Sequence, residues 1–168
     1  MVFSDVVNGC RGAHGAEKAE QGPPMSDLYE GDILLWSERQ ADLLRRRAAG
    51  ELVNETELDW PNIAEEIEDV GRSELRSCRS LLRQALRHML KAEAWPLSRD
   101  APTWRADAID FRRQARDAFA PSMRQKIGLA GLYADALAAL PDTLDDQAPM
   151  LVPSSCPFTL DELLTDAP

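Results

Sequence analysis

Apolar residues recur along this chain at helical rather than strand intervals. Ile33, Trp36, Gln40, Leu43 and Leu44 follow at helical intervals until Gly50, which predicts a first helix over roughly residues 28–49. Asp27 and Glu30 have the spacing of a capping box at its start. A polar, acidic connection then reaches Asp59-Trp60-Pro61, where Asp can cap and Pro is tolerated because first-turn amides have no partner inside a helix. From there Ile63, Ile67, Val70, Leu75, Cys78, Leu82, Ala85, Met89 and Ala92 hold a near-heptad rhythm up to Trp95-Pro96. They predict a second helix of roughly 35 residues, about 50 Å at 1.5 Å per residue, with Gly71 as the place where it would kink or divide.

A third helix is predicted from Trp104 through Ile109, Phe111 and Ala115 to Phe119, stopped by Pro121. Ser122 and Gln125 have capping-box spacing for a fourth, with Met123, Ile127, Ala130, Ala134, Leu137 and Leu140 on its buried side and Pro141 at its end. Gly128 and Gly131 weaken it. Beyond Pro141 the chain is mostly extended or loose, with one short helix over residues 160–164 capped by Thr159. No two-residue alternation is long enough for a strand, and no fixed-length repeat is present. The expected fold class is all-α: an antiparallel four-helix bundle with one long central helix and irregular tails.

A length of 168 residues suits one domain with a single core. Residues 1–24, rich in Gly and Ala and ending in Gln21-Gly22-Pro23-Pro24, read as a disordered leader, and Met25 stands where an over-extended start would be corrected. Residues 25–141 form the expected bundle domain. Residues 142–168 form an acidic segment with its short helix, packed at least in part on that domain.

Charge changes the picture of the second helix. Between Glu51 and Asp69 there are eight acidic residues and no Lys or Arg; from Arg72 to Lys91 there are six basic residues and one acid, Glu74. Arg72, Arg76, Arg79, Arg83, Arg87 and Lys91 are spaced by 4, 3, 4, 4 and 4, which lines them along one side of the helix. The net charge of −10 opposes binding to a phosphate backbone, and no aromatic residues interleave the arginines to stack on bases. No window approaches 18 apolar residues and no secretory signal opens the chain, so a membrane role is not expected and the expected location is cytoplasmic. Cys10, Cys78 and Cys156 are odd in number and far apart, which suggests neither a disulfide framework nor a zinc knuckle.

The candidate sites are few. Glu65 and Glu68 share a face and are candidates for a hard metal or for the basic stripe, but the Glu-x-x-His pairs of a carboxylate-bridged di-metal bundle are missing; no metal and no cofactor are expected. His88, beside Lys91 on a second apolar line with Leu81, Ala85, Ala92 and Trp95, is a histidine at the bundle edge or a general base. No nucleophile is near it: Ser73, Ser77 and Ser80 lie about two or more turns away. Cys78 on the core line reads as a small buried apolar residue. Trp36, Trp60, Trp95 and Trp104 fall near helix ends or early in a helix, as core packing or as the lining of a partner groove.

Taken together, Tyr29-Glu30-x-Asp32-x-x-x-Trp36, Leu43-Leu44-Arg45, the run from Asn62 through Glu65-Glu66-Ile67-Glu68 to Gly71-Arg72-Ser73-Glu74, His88-Met89-Leu90-Lys91, Thr103-Trp104-Arg105, Pro121-Ser122-x-Arg124 and Cys156-Pro157-Phe158-Thr159 form an ordered set. In that set the chain resembles the bacterial family known only as domain of unknown function 29, over roughly residues 27–165. An aromatic residue expected soon after Lys91 is displaced to Trp95, and Thr103 stands where a serine is expected. The resemblance implies a small helical domain and brings no activity, substrate or cofactor.

The resulting expectation is a non-enzymatic helical module that binds a protein partner or forms a homo-oligomer through its second helix. The alternative is a small ligand-binding or enzymatic helical protein with a pocket near Glu65, Arg72 and His88. Glu65, Glu68, Arg72, His88, Lys91 and Trp104 are the binding candidates of both; no catalytic residue is assigned.

Overall fold

The computed structural model describes residues 25–165; the expected leader, with Cys10 and His14, lies outside the described residues. Among the described residues six α-helices follow in order: α1 (Met25–Gly31), α2 (Ile33–Ala48), α3 (Trp60–Ala94), α4 (Ala101–Ala118), α5 (Leu129–Ala138) and α6 (Leu160–Leu164). Short 3-10 turns occupy Glu55–Glu57 and Pro121–Met123, and among the described residues there is no strand. The protein is all-helical. It divides into two compact units, the first ending at Ile63 and the second beginning at Ala64.

The first unit holds α1, α2, the connection and the opening turn of α3. The single helix expected over residues 28–49 is interrupted at Asp32, whose backbone leaves the helical region at φ −149° and ψ 81°. The Asp32 carboxylate accepts a hydrogen bond from the Leu35 amide at 3.0 Å and so caps α2. Gly31 costs helix stability and Asp32 competes for backbone amides, so the pair favours a boundary over a continuous turn. The break is one residue wide: the Asp32 amide still donates to the Leu28 carbonyl, and the Trp36 amide to that of Asp32. The expected capping role of Asp27 is therefore taken by Asp32, since α1 already includes Asp27.

Leu28, Trp36, Leu43, Leu58 and Ile63 form the core of this unit, with the Tyr29 and Trp36 rings edge to face at 4.8 Å. Gln40 is buried among them, donating to the Glu57 carbonyl and accepting from the Asp59 amide, each at 3.0 Å. The Asp59 carboxylate accepts from Trp36 Nε1 at 3.2 Å and from Asn62 Nδ2 at 2.7 Å. Paired in this way, the buried polar groups hold the connection without the cost of an unsatisfied group.

In the second unit α3 is the longest element, and the helix runs without a break through Gly71. Its buried line is Cys78, Leu82, Leu86 and Leu90, while Ile67 and Val70 lie at the surface. Cys78 Sγ contacts the Ala115 carbonyl, His88 faces Asp107, and Lys91 lies over Trp104. Rising numbers on α3 meet falling numbers on α4, so these two helices run antiparallel.

The expected fourth helix from Ser122 to Leu140 is shorter. Residues Pro121–Met123 make a 3-10 turn, and α5 starts only at Leu129, after Gly128. A glycine in the interior of a helix is unfavourable, and here it marks the start instead. Met123 and Ile127 are buried as expected but from the irregular segment, and α5 turns Leu132, Tyr133 and Ala136 inward.

The C-terminal segment is tied to this unit by named bonds. The Met150 amide donates to the Ala94 carbonyl at 2.8 Å, Trp95 Nε1 to that of Gln147 at 3.0 Å, and the Tyr133 hydroxyl to that of Pro153 at 2.7 Å. Leu144 and Gln147 close a turn in which Asp145 and Asp146 take positive φ. Thr159 and Glu162 form a reciprocal capping box at the start of α6, which buries Leu163 and Leu164. At its other end Arg112 of α4 donates to the carbonyls of Glu162, Leu163 and Thr165 at 2.7–3.0 Å. Those are carbonyls a helix cannot satisfy internally, and a guanidinium there also opposes the negative end of the helix dipole.

Candidate functional site

The candidate residues sort into two places along α3. Glu65 and His88 are 23 positions apart on one continuous helix, roughly 35 Å at its rise per residue, so they share no cavity. The pocket joining Glu65, Arg72 and His88 is accordingly not formed.

At the first place Arg72 is the centre. Its guanidinium donates to Asp69 Oδ1 at 2.7 Å, to Glu68 Oε2 at 3.0 Å and to the Glu65 carbonyl at 3.4 Å. Asp69 also meets Arg76 at 3.5 Å. The Arg72 hydrogen bond holds the Asp69 carboxyl below its ordinary range, and Asp69 in turn raises Arg72. The sign change seen in the sequence is therefore closed by pairs three, four and seven residues apart. A groove of about 570 Å³ runs beside these residues, lined in part by Glu68, Arg72, Glu74, Leu75, Met123 and Lys126. Among the described residues no three His, Cys, Asp or Glu side chains are grouped to hold a metal ion, and the Glu68 carboxylate is engaged by Arg72.

The second place is the α3–α4 seam. His88 Nδ1 stands 3.4 Å from Asp107 Oδ2, and its ring lies 5.4 Å from that of Phe111 at 47°. The pair is close without the alignment of a hydrogen bond, and Nδ1 has no other partner. Burial lowers the His88 pKa from its ordinary 6.5, opposed by Asp107 and reinforced by the positive charges of Lys91 and Arg87. A neutral imidazole follows at pH 7. Lys91 Nζ lies 5.6 Å from the centre of the buried Trp104 ring, a cation–π contact. His88, Lys91 and Trp104 are thus brought together by the antiparallel pairing. No nucleophile joins them: Cys78 is buried near Ala115, and burial pushes its thiol up, away from the reactive thiolate.

Two features of this surface are absent from the sequence expectation. Asp107 as the partner of His88 depends on the register of α4, which no local pattern specifies. The second is a groove in which Arg76, Arg79, Ser80 and Arg83 of α3 face Leu132 and Asp135 of α5, about 370 Å³ in volume. It is continued by a neighbouring recess of about 420 Å³ that adds Gln84, Arg87, Ala136 and Ala139. The four-residue spacing of the arginines was its signal; the facing wall was hidden because α5 starts late.

No curated protein matches the chain. A crystal structure of an α-helical protein of unknown function from Rhodospirillum rubrum ATCC 11170, at 1.45 Å resolution, is 33% identical to it. The match covers 82% of this chain and 89% of that one, with a TM-score of 0.60. No helix among the described residues is long and apolar enough to cross a membrane. The family model described as domain of unknown function DUF29 matches residues 28–167, and the chain belongs to that family.

Proposed function

We propose that the protein is a non-enzymatic helical module of the cytoplasm that binds a protein partner, or a second copy of itself, through the exposed side of α3. The observation that carries this reading is the length of α3, 35 residues in one piece, with charge rather than a reaction site displayed along it. In this reading Glu65, Glu68 and Arg72 are one contact patch, and His88, Lys91 and Trp104 are a seam that holds α4 in register. The antiparallel four-helix arrangement expected from the sequence belongs to the same reading; the opposed numbering of the α3 and α4 contacts supports one pair of it. Nucleic acid is disfavoured by the net charge of −10.

Light scattering coupled to sizing chromatography, with capture of partners by the immobilised full chain, tests the proposal. A multimer, or a captured protein released by charge reversal on α3, is the expected result. A monomer that captures nothing overturns it.

A further inference from the structure

The groove between α3 and α5 combines a row of cations with a single facing acid, Asp135. Arg72 and Arg76 are paired with Glu68 and Asp69, whereas among the described residues no carboxylate pairs with Arg79, Arg83 or Arg87. All three are exposed and line the two recesses. From Arg76 to Arg87 the row covers roughly 16 Å along the helix axis, at one guanidinium per turn. Opposite it the lining is Ala136 of α5 and Ala139 just past its end, whose small side chains leave the groove open, and one acid, Asp135. Guanidinium groups recognise carboxylates and phosphates by paired, charge-assisted hydrogen bonds.

We propose that this groove docks an acidic peptide segment of a protein partner; the inference rests on the module reading above and names the chemistry of what α3 recognises. The row is drawn out along the helix rather than gathered round a point, which suits carboxylates spaced along a chain better than one compact phosphate. Asp135 inside the groove further opposes a compact polyanion. No aromatic residue lines either recess to stack on a base. Ser80 and Gln84 add uncharged hydrogen-bonding groups along the same wall.

The test uses the full chain and a fluorescein-labelled octaglutamate peptide, read by anisotropy at low ionic strength. Saturable binding that weakens with added salt is expected, with none for octalysine. The triple variant Arg79→Gln, Arg83→Gln, Arg87→Gln is expected to lose about tenfold in affinity. A charge-matched control, Arg45→Gln, Arg99→Gln, Arg113→Gln, is expected to stay within about twofold. Asp135→Asn, which removes the acid from the groove, is expected to bind about threefold more tightly, a gain that a misfolded variant cannot produce. Absence of saturable binding, or equal loss in both triple variants, overturns the proposal. Tighter binding of inorganic tripolyphosphate or duplex DNA than of octaglutamate also overturns it, in favour of a phosphate ligand. A multimer or captured partner that is indifferent to the Arg79, Arg83, Arg87 variant would leave the module reading standing and this groove without a role in it.

Discussion

His88 and Asp107 face each other across α3 and α4 at 3.4 Å, close enough for attraction and too poorly aligned for a hydrogen bond. Burial outweighs the carboxylate, and the imidazole titrates below its ordinary 6.5. The unfolded chain then binds the proton more tightly than the folded one. The contribution of His88 to stability is full above pH 6.5 and is lost as pH falls below 6.5 towards the lower folded value. Asp107→Asn removes the opposing attraction, so the His88 pKa should fall further. Imidazole titration by NMR checks both statements; a His88 pKa above 6.5, or one that rises in the variant, would contradict them.

Gly71 sits inside α3, and a Cβ built there meets nothing within 4 Å. Gly71→Ala should therefore stabilise the protein by about 0.5–1 kcal/mol, by restricting the unfolded backbone without a clash. Urea denaturation measures it. A loss of stability would mean that the backbone at Gly71 needs a freedom that alanine lacks.

Arg112 serves three carbonyls at the end of α6, a helix of five residues that has little stability of its own. Arg112→Met keeps the apolar stem and removes the fork, leaving the Leu163 and Thr165 carbonyls to water or unpaired and that of Glu162 with only the Thr165 hydroxyl at 3.3 Å. The expected loss is about 2 kcal/mol, with α6 amides exchanging faster than those of α3. Arg112→Lys should recover less than half, since one ammonium cannot reproduce the planar fork. Hydrogen exchange at Leu163 and Leu164 is the direct readout, and unchanged protection would refute the clamp.

The parts of this architecture that were legible in the sequence are those set by local rules. The three-and-four spacing from Leu75 to Ala92, with the Asp59-Trp60-Pro61 start, predicted α3 to within a few residues, because a long amphipathic helix is over-determined by its own pattern. Thr159 foretold the α6 cap for the same reason, a cap being a local contact; its reciprocal partner Glu162 lies within the same turn. Asp32 and Gly128 were missed as boundaries because apolar residues continue at helical spacing through both, and periodicity does not record a single-residue interruption. His88, Lys91 and Trp104 were singled out, but Asp107 was not, since its role comes from the α3–α4 register. The arginine row was visible too; that it faces Ala136 and Ala139 follows from where α5 begins.

Gln40 gives the sharpest test of the first unit. It is 2% exposed, and its amide matches one donor and one acceptor on the connection into α3, the Asp59 amide and the Glu57 carbonyl. Gln40→Leu preserves most of the volume and leaves both backbone groups unpaired, for an expected loss of about 3 kcal/mol. Gln40→Glu separates hydrogen bonding from packing. An ionised carboxylate can still accept from the Asp59 amide, but it is buried and turns a second acceptor towards the Glu57 carbonyl. Its folded pKa is then raised, so the stability of this variant should recover, relative to the unsubstituted protein, as pH falls and the protonated acid supplies an O–H donor. Urea midpoints across the acidic range measure that difference. A Gln40→Glu protein that tracks the parent at every pH, or a Gln40→Leu protein as stable as the parent, would show that these two hydrogen bonds do not hold the connection in place.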